Sequence, residues 1–498
     1  MKVLSSINQW LDDRVNPIVI KELRQAVQGR FLVWVLFGFL LLQMVFLGGN
    51  LLSADVSSSS WVSSRAGQQY FVLLLGILSG TCLLFVPVLT GLRMASERSE
   101  QNADLLYITT LSPRAIITGK FLASMLLTIL IFSACAPFMT ISFLMRGIDV
   151  YTIGFCLLIA LTAVASAIQL SIFAACIPVG RFFRSVIGLA VLGALFFLFI
   201  MVMASSSDIL RHGATYAFGR SNFYWVLGSF ALGVVAVVGL MFVLSIALIT
   251  APSANRAVPV RLFLTILFLI CHIYALTSAF VIKSYRPLFV WSVLGALGLS
   301  GILVFSMNER EELGYRVTRT IPQNFAARVL YYPFYSGVGS GFIWVLTTGV
   351  VMAVSALILA NVHSGWKHWY EMKREIYVGA GIFCFALSYS VTGYFVRRTF
   401  LKRLPSGYTW AIALIVFAAS GVLPMLVAFL TGSFASLQDG TLVFTPFVLS
   451  SYKHKDTCFA ISAVWATISL FYMLPIVVRK FRVFTKPAME TEDEAGVS

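Results

Sequence analysis

Apolar residues occur along this 498-residue chain in about twelve long stretches, near 31–52, 69–93, 119–145, 151–178, 184–205, 223–250, 260–282, 288–306, 341–361, 376–396, 408–431 and 457–478. Short segments that hold most of the charge separate them. A helix needs about 20 apolar residues to cross a hydrocarbon layer of roughly 30 Å. Inside that layer every backbone N–H and C=O must pair within its own segment, so each stretch predicts a spanning helix. The short alternating segments of a membrane barrel are absent. The fold class predicted is therefore an all-α integral membrane protein with about twelve transmembrane helices.

The spacing of the stretches predicts an organisation. Residues 1–30 form a cytoplasmic N-terminus, 31–250 a first six-span half, 251–259 a linker, 260–480 a second six-span half, and 481–498 an acidic, disordered tail. Each half contains an even number of crossings, so the halves are parallel repeats about an axis along the membrane normal. Ahead of the first stretch, Asn16-Pro17 is a cap and first-turn pair. Val19, Leu23, Ala26 and Val27 then share a face against Lys21, Arg24, Gln25 and Gln28. This predicts an interfacial amphipathic helix, the alternative being the frayed start of the first span. The charged lead is too long for a cleavable signal.

Composition sharpens the membrane assignment: 59% hydrophobic and 11% charged, against about 45–50% and 25% in soluble domains. Lys and Arg number 36 and Asp and Glu 20, a net charge of +16. In a soluble chain that balance would point to nucleic acid; here it lies in short loops, and no nucleic-acid partner is expected. With the N-terminus inside, 25 of the 36 cations fall on the inner side, which puts both termini in the cytoplasm. Lys367, Lys373 and Arg374 dissent from one outer loop. The seven cysteines have no C-x-x-C spacing and read as small packing residues.

Two inner loops carry the same pattern at matching places. The first starts Glu97-Arg98-Ser99-Glu100 and runs through Asp104, Leu105 and Leu106 to Thr110-Leu111-Ser112-Pro113-Arg114. The second starts Glu309-Arg310-Glu311-Glu312 and runs through Arg316, Val317 and Arg319 to Thr320-Ile321-Pro322. Ser112-Pro113 is again a cap and first-turn pair. Mixed apolar and charged residues can form an apolar ridge with a charged rim, the anatomy of a docking surface, or simply a solvated loop. No G-x-x-x-x-G-K-[ST] cradle, H-E-x-x-H or G-x-S-x-G occurs. Gly337-Val338-Gly339-Ser340-Gly341 leads into a span. The chain is thus not expected to hydrolyse ATP or to hold a cofactor or metal.

The first loop, with Gly119-Lys120 at the next helix, resembles the coupling loop of ATP-binding cassette exporter permeases. Asn16-Pro17-x-x-x-Lys21-Glu22, with Arg24, is similar to that family's N-terminal elbow helix. The resemblance covers about residues 14–145 best. The chain departs from it at Asn102-Ala103, where the family has Gly-Thr, and the second half has no clear elbow. It implies a membrane-spanning subunit in which two six-span units are fused, driven by a separate ATP-binding cassette ATPase beneath both loops. Further permease or accessory subunits are additional partners, and the location implied is a bacterial cytoplasmic membrane. Small residues (Gly295, Gly298, Gly301, Gly337, Gly341, Gly379, Gly381) would permit sliding helix contacts. Val443–Leu449, in the outer loop Gly432–Lys455, is too apolar for a free loop and reads as re-entrant or interfacial; Ser206–Asn222 occupies the matching place. The rivals are an ion-coupled secondary transporter, for which only His272 is a mid-span candidate relay, and a non-transporting scaffold.

Overall fold

The structure is a computed structural model and describes residues 16–28, 30–53, 64–99, 112–144, 148–178, 180–212, 221–251, 254–284, 286–309, 313–362, 369–422, 426, 430, 446, 449 and 455–485. Every regular element among the described residues is helical. In chain order the helices are α1 Pro17–Gln28, α2 Arg30–Ser53, α3 Ser64–Ser99, α4 Pro113–Leu144, α5 Val150–Cys176, α6 Arg181–His212, α7 Ser221–Ile249, α8 Ala257–Ile282 and α9 Arg286–Ser306. They continue as α10 Tyr315–Thr318, α11 Phe325–Tyr331, α12 Val338–Val362, α13 Trp369–Thr399, α14 Thr409–Phe417 and α15 Lys455–Val483. Among the described residues ten helices are long and apolar enough to cross a membrane, and Val33–Phe46 and Thr409–Ser420 are shorter apolar helices. The chain is a multi-pass α-helical membrane protein, and it divides into two compact units, Met1–Ala251 and Pro252–Ser498.

Apolar attraction cannot hold spans together, since lipid is as apolar as the protein; close packing and polar bonds must do it. In the first unit α3 is central, packing against α4, α5 and α6. Some 44% of its apolar stretch is buried, against 11% for α6, whose Phe182, Leu189 and Phe196 point outward. The partner face on α5 is a column of mostly small residues at helical spacing, Cys156, Ala160, Val164 and Ala167, all fully buried. Leu74, Leu75, Leu78 and Cys82 of α3 belong to the same core. Of the seven cysteines, Cys82, Cys135, Cys156, Cys176 and Cys458 are buried packing residues and none is in a disulfide. The apolar pattern did not announce a polar contact in this core: Gln43 of α2 donates through Nε2 to Cys135 Sγ of α4 (3.0 Å).

In the second unit the centre is α13, with 56% of its apolar stretch buried, against α9, α14 and α15. Tyr389 of α13 meets Phe417 and Trp465 edge-on at 5.6 and 5.3 Å and stacks with Phe385 at 5.8 Å. Trp465 Nε1 donates to Thr392 Oγ1 (3.2 Å), so the indole brings both area and a satisfied donor. The α13–α14 crossing is set by Gly393, where an added Cβ would lie 2.9 Å from the backbone nitrogen of Ala413. That glycine was not among the expected contact positions. Of those that were, Gly379 and Gly341 do lie against neighbours, whereas Gly301 faces open space.

Two sequence expectations are corrected. Glu97-Arg98-Ser99 is not in a loop: α3 continues as helix to Ser99, because no breaker follows its apolar stretch. Residues 206–212 are likewise the last turns of α6 rather than outer loop, with Ser206 buried. Within the Gly432–Lys455 segment only Pro446, Leu449 and Lys455 are described; Leu449 joins the core of Phe385, Tyr389 and Cys458. Lys367 lies outside the described residues, as do the side chains of Lys373 and Arg374.

Gly393→Ala should lower stability by about 1–3 kcal/mol, the usual cost of overpacking. Gly301→Ala should change it by less than about 0.5 kcal/mol. Thermal unfolding of the two purified variants in one detergent checks the contrast.

Candidate functional site

The candidate site is a pair of charge clusters at the roots of the two E-R-x-E segments, one in each unit. In the first, α1 begins as its sequence dictates. Pro17 is its first residue, Asn16 Oδ1 accepts from Ile18 N–H (3.1 Å), and Asn16 Nδ2 donates to Ala115 O at the start of α4 (2.6 Å). Gly119 gives the room: a Cβ there would sit 2.8 Å from Ile18, so only glycine lets α1 lie against α4 at this point. Ser112 caps α4, accepting from Ala115 N–H (3.2 Å), with Pro113 as the first helical residue.

The next residue, Lys120, is 3% exposed and donates to Glu22 Oε1 (2.5 Å); its second carboxylate partner is Glu97 Oε2 (2.9 Å). Lys21 and Arg93 flank the pair at 3.8 Å from Glu97 and 3.9 Å from Glu22. The amphipathic reading of α1 holds for buried Val19 and Ala26 and for exposed Lys21 and Arg24. It missed Glu22, a buried carboxylate on the packed face. A buried charge is retained only when paired and hydrogen-bonded, and Glu22, Lys120 and Glu97 meet that condition together. The ion pair ties the end of α3 to the start of α4, the two elements that flank residues 100–111. Of the expected coupling residues, Arg114 is exposed on α4. Glu100, Asp104, Leu105, Leu106 and Leu111 lie outside the described residues, as does the side chain of Arg98.

In the second unit the cation comes from the preceding span. Arg261, 3% exposed near the start of α8, donates through Nη2 to both oxygens of Glu309 (2.6 and 2.6 Å). Its Nη1 donates to Pro333 O (2.7 Å), Tyr335 O (2.5 Å) and Ser340 Oγ (3.2 Å). Glu309 Oε2 also accepts from Gly337 N–H (2.6 Å). Gly337 has φ +143°, a conformation that strains any residue with a side chain, and Gly341 lies where a Cβ would come within 2.8 Å of Arg261 Nη2. The glycine-rich run thus lets a guanidinium sit against the first turn of α12.

The segment between α9 and α12 is anchored on the same plan. Val317, expected on a docking ridge, is 7% exposed and points inward with Ile321. Tyr335 Oη donates to Thr320 O (2.9 Å), and Tyr332 and Tyr335 meet Phe484 at 5.2 and 4.9 Å. What faces outward is Tyr315, Arg316, Arg319, Phe325 and Leu330, with Arg319 stacked over the Tyr315 ring at 4.6 Å. Pro322 is half-buried, and Arg310 and Glu312 lie outside the described residues. Sequence reasoning missed α11, whose Phe325, Val329, Leu330 and Tyr331 are all exposed; a four-residue apolar run in a charged loop was the available signal.

His272 has both ring nitrogens engaged: Trp291 Nε1 donates to Nδ1 (3.0 Å), and Nε2 faces Ser355 Oγ (2.6 Å). Accepting at Nδ1 fixes the neutral tautomer with Nε2–H as donor. This arrangement packs α8, α9 and α12 together. Comparison of the chain with family models, curated proteins and solved structures finds no match.

The two clusters respond differently to loss of a partner. Lys120→Met leaves buried Glu22 with only the longer contact to Arg93, at 3.9 Å, and should cost about 3–5 kcal/mol. Glu22→Gln leaves Lys120 paired with Glu97 and should cost less; melting temperatures of the purified variants test the order. In the other unit Arg261→Lys should not restore what Arg261→Met loses, because an ammonium cannot replace a fork that serves a carboxylate and two backbone carbonyls at once. Proteolysis of the 313–337 segment in both variants reads this out.

Proposed function

We propose that this chain is the membrane-spanning subunit of an ATP-driven transporter, with two six-span halves in parallel. A separate ATPase would dock on the segments that follow Glu97 and Glu309, on the cytoplasmic side, with both termini there. The observation that supports this most directly is the treatment of the two matched glutamates. Each is held by a buried cation, Glu97 by Lys120 and Glu309 by Arg261, so each segment is fixed at its root to span ends. A handle can move a helix bundle only if it is rigidly mounted. In the second unit the mount carries an outward set of aromatic and cationic side chains, Tyr315, Arg316, Arg319 and Phe325, residue types enriched at protein interfaces. Energetically the ATPase must bias a two-state arrangement of spans, which requires that its contacts differ between the two states.

The proposal assigns Arg114 and the α10 face to partner contact and removes Val317 from it. A photo-crosslinking residue placed at Arg114 or Tyr315 in the full-length protein in cells should capture an ATP-binding cassette ATPase, and one at buried Val317 should not. Membranes bearing Tyr315→Ala/Arg319→Ala should lose at least about tenfold of the co-purifying ATPase activity, as expected for two hot-spot residues. Purified chain that drives uptake from an ion gradient with no ATPase present would refute the proposal.

A further inference from the structure

The second unit contains a cavity of about 750 Å³ at the end of the helices that carries Arg261 and Glu309. Its size is within the range of about 300–1,000 Å³ usual for small-molecule sites. Tyr332, Tyr335 and Phe484 form an aromatic wall, and Arg398, Arg479 and Lys480 bring three positive charges to the same space. No Asp or Glu is among the lining residues. Glu309, which touches the lining through Gly337 N–H, is already held by both of its oxygens on Arg261. Among the described residues no ion pair takes Arg398 or Arg479. Two arginines beside one cavity with no carboxylate among its lining residues repel one another and attract an anion. Arg398 lies in the last turn of α13 and Arg479 near the end of α15, so the charges lie at the ends of two spans.

We propose that this cavity binds a phosphate-bearing ligand with an apolar body. The phosphate lies against Arg398 and Arg479, and the apolar part lies along Tyr332, Tyr335 and Phe484. A planar guanidinium matches phosphate oxygens two at a time, which an ammonium cannot do. The place favours an anionic phospholipid as the source, since basic pockets between spans at the membrane face take such headgroups. A soluble organic phosphate is the other source of the same chemistry. Leu313, Thr318 and Ile321 also line the cavity, so an occupant braces the α10 segment from below. That bracing role rests on the docking proposal, whereas the binding does not.

The test uses the purified, delipidated full-length chain and native mass spectrometry, with phosphatidylglycerol, phosphatidylcholine and glycerol 3-phosphate as probes. The expected result is retention of phosphatidylglycerol over phosphatidylcholine. Arg398→Gln/Arg479→Gln should weaken that retention about thirtyfold, the scale of two cations at an anionic surface. Lys402→Gln/Arg403→Gln removes the same charge just beyond α13, outside the lining, and should weaken it by less than about twofold. Arg398→Lys/Arg479→Lys should fall between wild type and the glutamine pair and shows that the positions tolerate substitution. Competition by glycerol 3-phosphate assigns the site to a soluble phosphate, and its absence to lipid; either result upholds a phosphate site. Equal retention of the two lipids, or equal loss in the lining and control variants, overturns it. Because no ATPase enters the measurement, loss of partner capture with lipid binding intact would defeat the docking proposal alone.

Discussion

The structure depends on how buried charges are matched at the ends of its spans. Lys120 and Arg261 are each 3% exposed, and an unpaired ion in such a place would cost several kcal/mol. The fold meets that cost with carboxylates drawn from elsewhere in the chain. Glu22 comes from the short amphipathic helix and Glu97 from the end of the preceding span, both onto Lys120. Glu309 comes from the turn after α9 onto Arg261. The positions of α1, of the α3–α4 junction and of the first turn of α12 are consequences of that matching. Gly119 and Gly341 are where they are because the charged side chains can meet only if the backbones approach closely there.

Apolar periodicity made the membrane class and most spans legible, because twenty apolar residues in a row have few other fates. Caps were legible for the same reason of local chemistry: Asn16-Pro17 and Ser112-Pro113 each open a helix at the residue their side chains predict. What could not be read was which side chains turn inward. Glu22 sits among charged neighbours on a helix whose polar face looked solvated, and only the position of Lys120, 98 residues away, makes it a core residue. Val317 reads as part of an exposed ridge until Ile321 and the ring of Tyr335 are seen beneath the segment. The end of α3 was misread because a helix can outrun its apolar stretch when nothing breaks it. Gly393 was invisible since its reason is the backbone of Ala413, a long-range contact.

The two units solve similar tasks with different parts. In the first, a lysine on the following span receives two carboxylates. In the second, an arginine on the preceding span receives one carboxylate and two backbone carbonyls. The difference follows from the chemistry of the cations. An ammonium is a compact point charge suited to two anions, whereas a guanidinium offers a flat fork that can organise a turn. The first unit therefore fixes a helix, and the second fixes a loop.

α3 runs unbroken for 36 residues from Ser64 to Ser99, a rod of about 54 Å at 1.5 Å per residue. Because it is the central strut of its unit, a small rocking of one tip is conveyed to the other as a larger sweep: a tilt of about 5° over that length displaces the far end by roughly 5 Å. Pro87, buried within the rod, removes one link of its internal ladder and marks the place where such a strut can flex.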